Sequence, residues 1–139
     1  MDEQTPLSFL LPVAEALRHV RLSADNFTRQ TLLAGEGLVA DLYCMTEGQG
    51  VGIHRHSDTE HLICVLDGRA EVQAGEAKQF LERGGIALIR RDLYHYVRNP
   101  EKTPLVFLQI SAPKPWDAAF GAPRPVQAAP ELPPVAQEG

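Results

Sequence analysis

Residues 48–68 read GQGVGIHRHSDTEHLICVLDG, and this stretch decides the interpretation of the whole chain. Two apolar segments, VGIHRH and HLICVL, flank the bend-forming residues SDT, and the second segment ends at Asp67-Gly68, a typical hairpin turn. The pattern predicts two short β-strands joined by a tight connection. Residues two apart in a strand point to the same face, so His54 and His56 project together, with Cα atoms about 6.5–7 Å apart.

Strand-like segments and turns continue outward from this stretch, from about Phe27 to Ile110, at intervals near ten residues. The segments are FTRQTLLA, LVADLYCM, VGIHRH, HLICVL, RAEVQA, KQFL, IALI, YHYVR and PLVFLQIS. No long helix separates these nine or so segments, which argues against a parallel sheet with crossover helices. We therefore predict an all-β antiparallel sandwich or small barrel.

The two ends of the chain differ from this pattern. PVAEALRHV, residues 12–20, predicts a short helix, because proline suits a first helical turn and the alanines, glutamate and leucine favour helix. Seven of the 11 prolines lie between Pro113 and Pro134, which predicts an extended or disordered tail. Trp116 and Phe120 indicate that the first part of this tail lies against an apolar surface. The predicted division is an N-terminal arm (1–26), a barrel (27–112) and a Pro-rich tail (113–139).

Composition bounds the class of protein. The chain has 139 residues, the size of one domain, with 44% hydrophobic and 22% charged residues. Its net charge of -5 and absence of basic clusters argue against nucleic-acid binding. Its apolar runs are far shorter than the roughly 20 residues of a membrane span. The acidic N-terminal residues MDEQTPLS are unlike a signal peptide, so we expect a cytoplasmic protein.

Two further histidines fall in strand contexts. His61 follows His56 by five residues and begins the next strand, so a hairpin brings it back beside the first pair. Strand neighbours alternate, so only one of Glu60 and His61 faces inward, and an inward His61 turns Cys64 away from any site. His95 is distant in sequence, in YHYVR, but a barrel can place it opposite the other three.

Two motifs identify a resemblance to the cupin superfamily. Residues 48–68 resemble its first motif: glycine, five residues, His-x-His, a short spacer, glutamate, six residues and glycine. GIALIRRDLYHYVRN, residues 85–99, resembles the second: glycine, five residues, Pro-x-Gly, two residues, histidine, three residues and asparagine. The matching positions are Gly48, His54, His56 and Gly68 in the first motif, and Gly84 or Gly85, His95 and Asn99 in the second. The resemblance covers roughly residues 30–112 and implies a double-stranded β-helix, the cupin jelly-roll barrel, with a bound metal.

The chain departs from both motifs. His61 occupies the position of the metal-binding glutamate of the first motif, and Glu60 lies one residue early. In the second motif Arg90-Arg91-Asp92 replaces Pro-x-Gly. We favour inward-facing His61, because it keeps the spacing to Gly68 and the alternation of the strand. A register shift that turned Glu60 inward would restore three histidines and a carboxylate.

The predicted metal ligands are therefore His54, His56, His61 and His95. Four imidazoles suit a divalent transition metal such as Fe, Mn, Ni, Cu or Zn. The resemblance implies a dioxygenase-like metalloenzyme acting on a small oxygen-rich organic molecule. Glu60 is the candidate general base; its other interpretation is a solvated turn residue. Phe107 and Gln109, on the last strand, are further pocket candidates.

Alternatives to a dioxygenase stay open. The resemblance also covers metal-dependent isomerases and lyases, non-catalytic small-ligand-binding or sensor proteins, and folds that a closed zinc site merely stabilises. No GxSxG nucleophile elbow and no phosphate-binding loop of the GxxxxGK[ST] or GxGxxG type is present in the sequence. The strand HLICVL is apolar on both faces, so its outer face needs cover from the N-terminal arm, the tail or a second subunit. From this we predict a homodimer.

Overall fold

A computed structural model describes residues 10–113 of the chain and, beyond them, the backbone pairing of three two-residue strands. The elements in chain order are α1 Val13–Leu17, β1 Thr28–Ala34, β2 Val39–Met45, β3 Gly50–Arg55, β4 Glu60–Asp67, β5 Arg69–Ala74, β6 Ala77–Glu82, β7 Ile86–Ile89, β8 His95–Arg98, β9 Leu105–Ala112, β10 Trp116–Asp117, β11 Ala122–Pro123 and β12 Gln127–Ala128. The nine strands predicted between residues 27 and 112 are β1 to β9, with every boundary within one residue of the prediction. The helix, predicted over residues 12–20, is shorter.

Ten of the strands form two five-stranded antiparallel sheets, and β10 pairs separately with β11. One sheet has the order β1-β2-β9-β4-β7 and the other the order β12-β3-β8-β5-β6. β3 and β8 are hydrogen-bonded neighbours in the second sheet, whereas β4, which follows β3 in sequence, lies in the first. The chain thus crosses between the sheets at the SDT bend, as in the predicted jelly roll. The all-β double-stranded β-helix is confirmed, and the crossing places histidines on both walls.

The inner faces of the two sheets form an apolar core towards one end of the barrel. Phe107 and Tyr43 are cross-strand partners whose rings stack with centroids 4.9 Å apart and planes at 4°. Ile63 and Val65 on β4 are fully buried beside them, as the alternation of that strand predicts. Further along β4 and β9, towards His61, the inward positions become polar, and this change positions the candidate site.

The N-terminal segment covers part of the outer face of the first sheet. Ala16 of α1 is buried in a second apolar cluster with Leu42, Leu66 and Val106, and Cys64 packs against its edge. This cover explains why all seven residues of β2 are buried. The N-terminal arm therefore supplies some of the cover that the outer face of HLICVL requires. As predicted, Cys64 points away from the barrel interior.

The described helix is five residues long, and no helix in the described part of the chain is long and apolar enough to cross a membrane. The predicted boundaries at residues 26 and 112 stay predictions. The predicted packing of Trp116 and Phe120 concerns side chains outside the described residues. The backbone of β12 pairs with β3 at His54 and Arg55.

Candidate metal centre

Three histidines converge at the polar end of the barrel. His54 and His95 are direct cross-strand partners on β3 and β8, and His56 is two residues further along the chain from His54. One ring nitrogen from each lies within 4.8 Å of the others. Two nitrogens bound to one ion at about 2.1 Å each are at most about 4.2 Å apart. Small side-chain rotations would therefore allow all three to bind one metal ion.

His61 faces this group from the opposite sheet. Its ring centroid is 4.4 Å from that of His56 and 5.9 Å from that of His95. Its Nδ1 is 2.8 Å from Oγ of Ser111, the neighbouring residue on β9. Its Nε2 is buried and has no hydrogen-bond partner among the described residues. A buried nitrogen without a partner is costly, and a bound metal ion would satisfy it.

Hydrogen bonds fix which nitrogen of two histidines is available. Nδ1 of His54 lies 2.5 Å from the carbonyl oxygen of Gly52, and Nδ1 of His95 lies 2.8 Å from that of Leu93. Because a carbonyl only accepts, each Nδ1 carries the proton, and each Nε2 keeps its lone pair. Metal-binding histidines commonly donate their second nitrogen in this way.

Burial also keeps the histidines neutral. Desolvation, assisted by the neighbouring histidines, lowers the pKa of His61 to about 3 and those of His56 and His95 to about 4. Burial lowers the pKa of His54 as well, against its hydrogen bond to Gly52. Neutral imidazole is the form that binds metal, so at pH 7 no proton has to be displaced from these rings.

The departure from Pro-x-Gly leaves the turn before His95 intact. Asp92 stands where the second motif has glycine, and its φ of 61° lies in the left-handed region that glycine adopts most easily. Aspartate is among the residues that tolerate this region. Its backbone N–H donates to the carbonyl oxygen of His56 at 2.7 Å, which ties the turn to the strand of the first histidine pair.

We expect Asp92→Gly to fold and bind metal like the wild type, with stability within about 1 kcal/mol, since glycine keeps both the φ and the N–H. Asp92→Val should lose about 2 kcal/mol, because a β-branched residue is strained at this φ. Thermal unfolding of the two variants tests this expectation. Equal stability of both would show that the turn is not held in the left-handed region.

Asn99 closes the turn at the other end of the second motif. Its side chain is fully buried, and its Nδ2 donates to the carbonyl oxygens of Met45 and Thr103 at 3.0 and 2.9 Å. Its Oδ1 accepts the N–H of Glu101 at 2.9 Å. Asn99 is therefore a structural residue that ties three backbone segments together.

Glu60 does not line the cavity that the four histidines share. It is the first residue of β4, pairs with Ala112 and is half-buried. As the strand alternation predicts, it does not line the cavity on which His61 opens. Arg55, between His54 and His56, does not line the cavity either, and its guanidinium lies 4.8 Å from the ring centroid of Tyr94.

The four predicted ligands line one cavity of about 510 Å³. Its other walls combine apolar and polar side chains: Phe27, Val51, Ile53 and Val97 are apolar, and Arg29, Asp41, Tyr43, Gln109 and Ser111 are polar. Asp41 is buried and accepts a hydrogen bond from Oγ1 of Thr31 at 2.6 Å. Among residues 10–113, Asp41 is the only one with a carboxylate that lines this cavity.

Sequence reasoning named Gln109 as a pocket candidate but missed Arg29, Asp41 and Ser111. Asp41 had a usable signal, since it is a charged residue within the apolar segment LVADLYCM. The direction in which it points could not be derived, because both faces of β2 are buried. Arg29 is exposed on an edge strand and resembles any surface arginine in sequence.

Comparisons with known proteins agree with the fold and the motifs. The cupin domain family matches residues 41–111, about half of the chain, and the chain belongs to this family. A Thermus thermophilus protein, TT1209, is 27% identical over 72% of this chain and 95% of its own, with a TM-score of 0.69. An RmlC-like cupin protein from Desulfovibrio desulfuricans is 26% identical over 70% of this chain and 92% of its own, with a TM-score of 0.63.

A protein with a double-stranded β-helix domain from Klebsiella pneumoniae is 25% identical over 77% of this chain and 86% of its own, with a TM-score of 0.67. The comparison with curated proteins found no significant match. The family match establishes the class of the chain but not its chemistry.

Proposed function

We propose that the protein is a metal-dependent cupin whose divalent transition metal is bound by His54, His56, His95 and His61. We further propose a dioxygenase-like metalloenzyme that acts on a small oxygen-rich organic molecule. The buried, unpartnered Nε2 of His61, facing three convergent histidines, is the observation that carries the metal proposal. A nitrogen in that position is hard to account for without a ligand on it.

The donor set fits Fe, Mn, Ni, Cu or Zn, since neutral imidazole suits all of these ions. On a six-coordinate ion, four histidines leave two positions for substrate or dioxygen, whereas a tetrahedral zinc would be closed. When bound, such an ion supplies Lewis-acid or electron-transfer chemistry to an oxygen-containing ligand. The identity of the metal therefore separates an enzyme from a metal-stabilised fold.

The chain's own residues would prepare the ligand. Phe27, Val51 and Val97 line the cavity with apolar groups, which would reduce the water in contact with a bound ligand. No cavity contact supports a general-base role for Glu60. A proton acceptor near the ligand is better supplied by Asp41, whose carboxylate lines the same cavity.

Elemental analysis of untagged protein, purified without chelators, tests the proposal. Near-stoichiometric iron, manganese, nickel or copper would support an open site, and oxygen uptake with dicarbonyl and enol compounds would follow. Zinc alone would favour an isomerase, a lyase or a structural site over an oxygenase. Failure to bind any of these ions after reconstitution would overturn the proposal in favour of a metal-free ligand-binding protein. A cytoplasmic location stays a prediction.

We also propose the predicted homodimer. Leu62 on β4 and Leu88 on β7 are cross-strand partners on the outer face of the first sheet, and Ile86 lies beside them. Their side chains are 37%, 60% and 63% exposed. β7 is the edge strand of this sheet, so a second copy could extend the sheet and cover all three side chains.

We expect a dimer by light scattering at micromolar concentration and a monomer for Leu88→Glu, because a buried charge disfavours association. Leu38→Glu is a matched control, since Leu38 is 46% exposed but lies outside these strands. A wild-type monomer at this concentration would contradict the prediction.

A further inference from the structure

The cavity wall formed by β1, β2 and β9 carries a group of hydrogen-bond donors that the histidine site does not use. Arg29 and Tyr43 are cross-strand partners on β1 and β2, and Gln109 is on β9. All three line the same cavity as the four histidines. Arg29 is exposed, whereas Tyr43 is buried and is held between the rings of Phe27 and Phe107. The group therefore combines a fixed hydroxyl with a solvent-accessible cation.

The hydrogen bonds within this group leave its donors facing the cavity. Nε2 of Gln109 donates to the Tyr43 hydroxyl at 3.4 Å, and Arg29 lies directly opposite Tyr43 on the neighbouring strand. Because Gln109 donates to this hydroxyl, the hydroxyl's own proton can point to a ligand oxygen. A guanidinium has five N–H groups, so Arg29 can donate to more than one acceptor.

The balance of charge in the cavity also favours an anion. The charged residues that line the cavity are Arg29 and Asp41, and their formal charges cancel. A divalent ion on the histidines would therefore give the cavity a net positive charge that no lining residue neutralises. Asp41 is deeper than Arg29 and is engaged by Thr31, which leaves the guanidinium at the exposed side as the group that meets an entering ligand.

We propose that Arg29, together with Tyr43 and Gln109, binds a carboxylate of the substrate, so that the substrate is a small organic acid with a second oxygen group directed at the histidines. This inference rests on the proposed metal site. Arginine recognises carboxylates through paired N–H···O bonds, and charge-assisted bonds of this kind are roughly twice as strong as neutral ones. The substrate would thus be oriented by two anchors at different positions in the cavity.

The test uses the full chain loaded with Co²⁺, whose visible absorption changes when an oxygen ligand binds to it. The probes are succinate, glutarate and adipate, each compared with its monoamide, which has nearly the same size but one carboxylate fewer. Wild-type protein should bind at least one dicarboxylate about tenfold more tightly than its monoamide. Arg29→Gln should reduce that ratio to near one without reducing the cobalt content, and Tyr43→Phe should reduce it several-fold.

Arg83→Gln is the matched control, because it removes the same charge from an exposed turn outside the cavity. It should leave the ratio unchanged. Arg29→Lys, which keeps the charge but not the paired geometry, should give an intermediate ratio and guards against a folding defect in Arg29→Gln. If cobalt-loaded wild-type protein bound all three dicarboxylates no more tightly than their monoamides, the carboxylate inference would be overturned and the proposed metal site would not. Failure of the wild type to bind cobalt would overturn the proposed metal site as well.

Discussion

Replacement of His56 with alanine is expected to remove most of the bound metal. His56 is the histidine that links the two walls of the site, since its ring lies 4.9 Å from that of His54 and 4.4 Å from that of His61. Loss of a residue that merely orients a ligand weakens metal binding about 10–100-fold, so loss of a ligand should exceed about 100-fold. Metal content after dialysis and competition with a chromophoric chelator measure this effect.

His19→Ala is the control for His56→Ala. His19 is exposed in the N-terminal segment and does not line the cavity, so its loss should leave the metal content unchanged. His61→Ala distinguishes four ligands from three. If His61 is a ligand, this variant should also lose metal, whereas full occupancy would reduce the set to His54, His56 and His95. Full occupancy in His56→Ala would reject the assignment of the site.

Much of this site could be predicted because it depends on local periodicity. The two-residue spacing of His54 and His56 predicts that they project together, and both line the cavity although β3 ends at Arg55, between them. His61 is on the same face of β4 as the buried Ile63, as alternation predicts. The position of His95 opposite them needed the second motif, since no local rule pairs β8 with β3. The fold followed from short strands and regular turns in the same way.

The remainder of the cavity could not be predicted, because it depends on register between distant strands. Asp41 and Gln109 are cross-strand partners 68 residues apart, and nothing in either segment specifies that pairing. The alternation of apolar and polar residues normally identifies the inward face of a strand. In β2 this alternation is missing, because α1 covers the outer face and both faces are buried. Arg29 is followed by a register shift between Thr31 and Leu33, which further obscures the pattern of β1.

Among replacements of the motif glycines by alanine, Gly68→Ala is expected to cause the largest loss of stability. Gly68 closes the first motif with a φ of 84°. A Cβ there would lie 2.3 Å from the carbonyl oxygen of Pro104 and 3.0 Å from Cα of Leu105. Both contacts are with backbone, so no side-chain rotation relieves them. The left-handed φ costs alanine about 1–2 kcal/mol, and the overlap adds about 1–3 kcal/mol, so we expect a total of about 2–5 kcal/mol.

Gly48→Ala separates the two causes. Gly48 opens the same motif with a φ of 78°, but a Cβ there would meet nothing within 4 Å. It should therefore lose only the conformational part, about 1–2 kcal/mol. Urea unfolding measures the loss of stability of each variant. The loss in Gly68→Ala minus the loss in Gly48→Ala is the cost of placing a Cβ against Pro104 and Leu105. Equal losses would mean that the backbone at Pro104 and Leu105 moves aside to admit the Cβ. The requirement for glycine at position 68 would then come from its φ alone.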